Sequence, residues 1–335
     1  MPLVSVVLPV FNAGSLVGAA IDSVLRQTLT DLELIVVDDG STDDTRAVLG
    51  RYQDRRLRVL GFKSNRGVVH ALNFGVAAAT STYIARLDAD DRAMPNRLRR
   101  QMDLLQSDES IGLVFSGWRW LDHSGARSRG IVAPSTSHAA LRLGLHFGNP
   151  IVHSSVVFHR QRWLDAGGYM QQDWPAEDYG LWVRMSRMCQ VHAVPEALVL
   201  MNHSKGGISA QHATSQLAAV SRIASDALSD LLGDRVPHTT LLPILTSRFS
   251  SCPQLSSSER LVVRASQAVV RECSTRNIDA SGVHAATARL LYGMRYRTRD
   301  GKRCARLLAT LPMREPRLAI HLIRAHGRWL RRGYA

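Results

Sequence analysis

Residues 33–44 read Glu33-Leu34-Ile35-Val36-Val37-Asp38-Asp39-Gly40-Ser41-Thr42-Asp43-Asp44. Four consecutive apolar residues stop at two carboxylates, a glycine and a Ser-Thr pair suited to capping a helix. This is the profile of a strand buried on both faces of a parallel sheet, with a polar turn at its carboxyl end. The profile recurs in Leu3–Val10, Leu57–Phe62 and Tyr83–Leu87. Between the first two strands, Leu16-Val17, Ala20-Ile21 and Val24-Leu25 follow helical spacing, and Thr42–Tyr52, Val68–Ala79 and Pro95–Gln106 are further helix candidates. Alternation of this kind predicts an α/β fold, a doubly wound and mostly parallel sheet whose ligands lie at the carboxyl ends of its strands.

Beyond residue 110 the pattern is mixed. Ile111–Trp120 and Ser154–His159 read as strands, Gln161–Ala166 and Asp178–Met188 as helices, and Gln190–Ala193 and Ala197–Met201 as two short strands. From Ser209 onward the chain reads as helical, in Thr214–Leu232, Ser257–Glu272, Ala280–Tyr296, Lys302–Leu311 and Pro316–Arg332. Pro237, Pro243 and Pro253 mark a linker-like stretch among them. The expected division is a first domain of residues 1–209 and a basic helical region of residues 210–335.

Charge follows that division. Residues 215–335 hold 20 basic and 8 acidic side chains, and residues 289–335 hold 13 and 2, interleaved with leucine, isoleucine and tryptophan. A basic amphipathic segment suits an anionic membrane surface. Nucleic acid is a poorer partner, because the segment has no zinc-finger, RNP or basic-zipper pattern. No apolar run approaches the ~20 residues that cross a bilayer. The N-terminus lacks a basic n-region and reads as a first strand. Cys189, Cys252, Cys273 and Cys304 form no CxxC pair, which fits a reducing cytoplasm. The expected location is the cytoplasm, peripheral at the inner face of the membrane.

Two acidic clusters fall at predicted strand ends. Asp38-Asp39-Gly40 can accept N–H groups of a base or sugar, or can cap its own turn. Asn65-Arg66-Gly67 can bring Arg66 and backbone N–H groups to a diphosphate, or form a plain turn. Leu87-Asp88-Ala89-Asp90-Asp91 crowds three carboxylates, whose mutual repulsion a hard divalent ion, Mg²⁺ or Mn²⁺, converts into coordination. Glu177-Asp178 opens a helix and offers either a dipole-stabilised helix start or a general base. His153 and His203 flank that region as candidates for packing or ligation.

Taken in order, these pieces resemble family 2 glycosyltransferases of the GT-A fold. The resemblance is carried by Pro9-Val10-Phe11-Asn12, Glu33–Asp43, Asn65-Arg66-Gly67 with Ala71-Leu72-Asn73 and Gly75, Leu87–Asp91, and Gly167-Gly168-Tyr169 followed by Glu177–Trp182. It spans residues 3–205. It implies a nucleotide-diphosphate sugar donor, usually of uridine, bound by Pro9, Phe11, Asn12, Asp38, Asp39, Arg66, Asp88 and Glu177. It also implies Mn²⁺ or Mg²⁺ held by the Asp-x-Asp pair Asp88 and Asp90, with His203 completing the site, and Asp178 as the base. Met201-Asn202-His203 departs from the family's common Tyr-Arg-x-His. The implied reaction is inverting transfer to a glycan or lipid-linked acceptor in cell-surface polysaccharide synthesis. Processive members carry Gln-x-x-Arg-Trp, whereas Ala325 stands where that Gln would precede Arg328-Trp329. One sugar per encounter is therefore expected. Asn12-Ala13-Gly14-Ser15 lacks the lysine of a nucleotidyltransferase loop, and Asp39, Asp90 and Asp178 weigh against a catalytically silent scaffold.

Overall fold

The computed structural model describes residues 1–121, 127–131, 137–202, 211–246 and 252–296. These fall into two compact units, Met1–Ser135 with Ile151–Ala213, and Thr136–Pro150 with Thr214 onward.

The first unit is an α/β fold built on one nine-stranded sheet. Strands β1 (Val4–Val10) and β2 (Leu32–Asp38) are buried along all seven residues, which is why their sequences are nearly unbroken apolar runs. They run parallel, from Val4 opposite Leu32 to Val10 opposite Asp38. Strand β3 (Leu57–Gly61) adds parallel to β2, and β4 (Tyr83–Arg86) adds parallel to the other side of β1. The order β3-β2-β1-β4 reverses direction at β1. Such a reversal opens a crevice at the strands' carboxyl ends. Helix α1 (Gly14–Leu25) buries Val17, Ala20, Ile21 and Val24 of the predicted stripe; each buried Val or Ile side chain contributes about 1.5–3 kcal/mol. Helix α2 (Thr45–Leu49) is shorter than its predicted Thr42–Tyr52, and α3 (Val68–Ala78) packs so closely on the sheet that a Cβ at Gly75 would lie 2.5 Å from Val7 Cγ1.

The sheet then turns mixed. After β5 (Arg92–Ala93) and α4 (Arg97–Leu105) come β6 (Ile111–Leu121) and β7 (Arg127–Ile131). Strand β8 (Val157–His159) is antiparallel to both β4 and β6, and β9 (Gln190–Asn202) runs parallel to β6. The expected strand from Ser154 begins instead with a 3-10 turn, His153–Ser155. The two short strands expected over residues 190–201 are one strand. Its register with β6 steps from Ser116 opposite Val194 to Gly117 opposite Ala197, so a bulge absorbs Pro195 and Glu196. Short helices α6 (Arg160–Asp165) and α7 (Glu177–Met185), with a 3-10 turn at Gln171–Asp173 between them, complete the unit's described elements.

The second unit contains α5 (His138–Leu145), α8 (Ala213–Leu232), α9 (His238–Thr246), α10 (Cys252–Thr275) and α11 (Val283–Tyr296). The sequence reading placed residues 138–145 inside the first 209. Here Arg142, buried on α5, donates to Glu272 on α10 at 2.6 Å, and Ser137 donates to the carbonyl of Ser281. The stretch expected as a linker holds α9, with Pro243 inside it. Burial of Leu241, Pro243 and Ile244 outweighs the one backbone hydrogen bond that the proline cannot make. Residues 302–311 and 316–332, expected as helices, lie outside the described residues. Among the described residues, no helix is long and apolar enough to cross a membrane.

Candidate active site

The first acidic loop is satisfied by the chain's own donors. Arg66 and Gly67 donate their backbone N–H groups to the two oxygens of Asp39, at 2.8 and 2.9 Å. Gly67 caps α3 with φ 93°, a left-handed conformation that favours glycine. Those N–H groups are therefore engaged by Asp39, as in the plain-turn alternative for Asn65-Arg66-Gly67. Asp38 accepts from the backbone of Ser41 at 2.9 Å and from Arg46 Nε at 2.7 Å. Burial raises its pKa, but the bonds from Arg46 and Ser41 outweigh that and hold the carboxyl below its ordinary range. Gly40, at φ 77°, crosses directly against Ser64, whose carbonyl carbon would lie 2.4 Å from an added Cβ.

The loop after β1 is tied to this frame. Asn12 receives Thr42 N–H at 2.8 Å on its side chain and gives its own N–H to Ser41 at 3.0 Å. Pro9 is buried within β1, whereas Phe11 is 45% exposed. Arg66 is exposed, its guanidinium 5.0 Å from the Phe62 ring centroid. A cation over an aromatic face at the surface contributes about 0.5–1 kcal/mol.

The second acidic loop differs. Asp88, Asp90 and Asp91 each bring one oxygen to within 4.8 Å of the others. Burial, then Asp88, pushes Asp90 up to about 6. Asp91 is also raised, by burial, then Asp88 and Asp90, and it accepts the N–H of Asn202, the last residue of β9, at 3.0 Å. An oxygen-only cluster with raised proton affinity fits a hard divalent cation. Asp91 joins that cluster, although the sequence reading named only Asp88 and Asp90 from this loop as ligands. His203 lies outside the described residues.

Two arginines stand behind the loop. Arg86, buried at the end of β4, pairs with Asp88 Oδ2 and donates to Ser154 Oγ at 3.0 Å. Arg97, also buried, donates to the carbonyls of Arg86 and Val156 at 2.8 and 3.1 Å, and its Nε donates to Gln101. Neither stood out in sequence: Arg86 is a single Arg in an apolar run, and Arg97 is one of three arginines in the helix segment Arg97-Leu98-Arg99-Arg100. Tyr83-Ile84-Ala85-Arg86 reads only as a strand until the partner is known.

Glu177 and Asp178 open α7. Glu177 is buried, and burial followed by the charge of Asp178 raises its pKa; Arg86 and Asp88 also act on it. The start of α7 thus shares the electrostatic field of the β4 loop. Asp178 is half-buried, and one of its oxygens accepts Tyr179 N–H at 2.6 Å. The Gly167-Gly168-Tyr169 turn is clamped from two sides. Asn73 exchanges hydrogen bonds with the backbone of Tyr169 at 2.8 and 3.1 Å, and Arg184 donates to Asp173 and to the carbonyls of Ala166 and Gly168. His153 meets the Tyr169 hydroxyl at 2.9 Å, its ring tilted against Tyr169 and edge-on to Trp182. Burial, then Arg86, holds it well below the usual histidine range, so it is neutral at pH 7.

Comparison with known proteins agrees with this geometry. Residues 5–166 match the family described as "Glycosyl transferase family 2". A Haemophilus influenzae protein described as an uncharacterized glycosyltransferase is 30% identical over 59% of this chain and 64% of its own length. Chondroitin synthase of Escherichia coli is 30% identical over 56% of this chain and 27% of its own length. The chain thus covers less than two thirds of either relative. Among solved structures, residues 1–349 of Staphylococcus aureus TarS, crystallised with UDP-GlcNAc, align with TM-score 0.56 at 16% identity, over 90% of each chain. The mannosyltransferase PcManGT of Pyrobaculum calidifontis, in complex with GDP-Man and Mn²⁺, aligns with TM-score 0.53 at 20% identity, over 98% of this chain and 87% of its own. At these identities the likeness is one of fold, the GT-A fold.

Proposed function

Since residues 5–166 belong to glycosyl transferase family 2, we propose that the protein moves one sugar per encounter from a nucleotide-diphosphate donor, expected to be a UDP-sugar, to a glycan or lipid-linked acceptor. The observation that carries this reading is the Asp88, Asp90 and Asp91 cluster at the end of β4, beside the sheet's reversal point. The structures of TarS and PcManGT, which share the fold, are complexes with UDP-GlcNAc and with GDP-Man and Mn²⁺, in keeping with such a donor.

In this reading Phe11, Asn12, Asp39 and Arg66 meet the nucleoside. Phe11 offers an exposed ring face, and Asp39 retains acceptor capacity beyond its two backbone donors. Pro9 and Asp38, both buried, support that loop from beneath. Asp88, Asp90 and Asp91 hold Mn²⁺ or Mg²⁺, with His203, next to Asn202, as a further ligand. When bound, the ion neutralises charge on the leaving diphosphate.

Asp178 takes the proton of the acceptor hydroxyl. Glu177 lies beside it, its own proton affinity raised by burial and then by the charge of Asp178. A base on one side of the sugar carbon and a diphosphate on the other suit single displacement with inversion. The basic segment of residues 289–335 brings the enzyme to the cytoplasmic face of a membrane, where lipid-linked acceptors for polysaccharide synthesis are presented. Nucleic acid is not a partner in this scheme.

The test is transfer or hydrolysis of purified nucleotide sugars with and without added Mn²⁺ or Mg²⁺. Turnover is expected only with the ion. Full turnover after chelation overturns the metal assignment, and absence of turnover across UDP-, GDP- and dTDP-sugars overturns the transferase reading.

A further inference from the structure

Asp88 and the buried pair behind it form a closed hydrogen-bond circuit. Ser154 Oγ accepts from Arg86 at 3.0 Å and from the backbone N–H of Asp88 at 3.1 Å, and donates its one proton to Asp88 Oδ2 at 2.8 Å. A hydroxyl has one donor and two acceptor sites, so the two N–H groups fill the acceptor sites of Ser154 and its one proton serves the acidic loop, where Ser154 acts on Asp91 as well as on Asp88. Arg86 closes the circuit by pairing with the same Asp88 Oδ2. Its backbone is pinned in turn, because Arg97 donates to the Arg86 carbonyl and to Val156 on the neighbouring segment.

We propose that Arg86 is the positioning residue of the acidic loop: with Ser154 it holds Oδ2 of Asp88 on the protein side, so that the other oxygen alone is presented to cation and donor. The inference rests on the reading of this loop as a cation and donor site. A fixed positive charge beside a cation site opposes binding by Coulomb repulsion. Whatever Arg86 contributes to affinity therefore comes from geometry, since its charge acts the other way. Arg86 also acts on Glu177 at the start of α7, so the same guanidinium adjoins both acidic parts of the site.

Charge and geometry separate in two substitutions. Arg86→Lys keeps the charge and loses the planar fork, and Arg86→Met removes both. Mn²⁺ binding to the metal-free full-length protein, followed by calorimetry and by the free-Mn²⁺ electron paramagnetic resonance signal, is the readout. Both variants are expected to bind Mn²⁺ about tenfold more weakly or worse. Ser154→Ala, which removes the bridging hydroxyl with little change in volume, is expected to weaken binding several-fold and carries the test if Arg86→Met does not fold. Arg86→Lys within twofold of the parent, or Arg86→Met binding more tightly, overturns positioning in favour of simple charge balance. A lower melting temperature with unchanged Mn²⁺ affinity also overturns it, as a purely structural role. If the parent protein itself binds no Mn²⁺, the failure lies in the reading of the loop.

Discussion

Two acidic strand ends lie on either side of β1, similar in sequence and opposite in electrostatics. At the end of β2, Asp38 and Asp39 each receive two donors from the chain, and Asp38 is held below its ordinary range. At the end of β4, three carboxylates converge within 4.8 Å, and Asp90 and Asp91 are raised. Donors make the difference. A carboxylate whose fixed donors offset its burial becomes scaffold, whereas Asp90 and Asp91, raised first by burial and then by neighbouring carboxylates, hold charge that a proton or a cation must balance.

Substitutions should therefore sort by readout. The largest effect is expected at the proposed base: Asp178→Asn should lower kcat about 10³-fold while donor binding by calorimetry survives. A variant keeping most of its rate would assign the base elsewhere. Asp90→Asn should follow, lowering metal-dependent transfer about 10²-fold. The same variant should raise the melting temperature of the metal-free protein by about 2–4 °C at pH 8, since it removes one of three mutually repelling charges. At the other loop, Asp39→Ala should cost about 2–4 kcal/mol in urea unfolding, because it strands the Arg66 and Gly67 N–H groups. If Asp39→Ala left stability intact and abolished only donor binding, the contrast between the loops would collapse.

Acidity sharpens the same contrast. Asp90 holds its proton up to about pH 6, above its ordinary 3.8. In the metal-free protein, its favourable contribution is fully present below the unfolded value of 3.8 and is lost as pH rises from there through about 6. Mn²⁺ must displace that proton, so calorimetric affinity should fall as pH drops through 6, approaching tenfold per unit for each proton released. A flat profile between pH 5 and 8 would remove Asp90 from the site. The smallest effect is expected at the rim, where Phe11→Ala should raise donor KM about three- to tenfold with little change in kcat.

Much of this was legible in the residues themselves. Strands β1, β2 and β4 are short apolar runs because both their faces are covered, and each acidic cluster directly follows such a run. What escaped were features whose partners are distant in sequence. Arg86 and Ser154 are 68 residues apart, Asn73 and Tyr169 are 96 apart, and Arg142 and Glu272 are 130 apart. Residues 190–201 read as two short strands because no local pattern reveals that one strand paired with β6 can absorb Pro195 and Glu196 in a bulge.

Period, turn chemistry and the order of the motifs are local properties. The sequence by itself therefore determined the parallel α/β core, the family resemblance and the positions of both acidic loops. Only the tertiary structure decided which carboxylates are satisfied and which are not. Asp39 meets its donors through the turn before α3, and the Asp88 loop meets Arg86 from its own strand and Ser154 through the packing of β8 beside β4. Proton affinity depends on burial and on the charges within a few ångströms, and chain folding alone sets those distances.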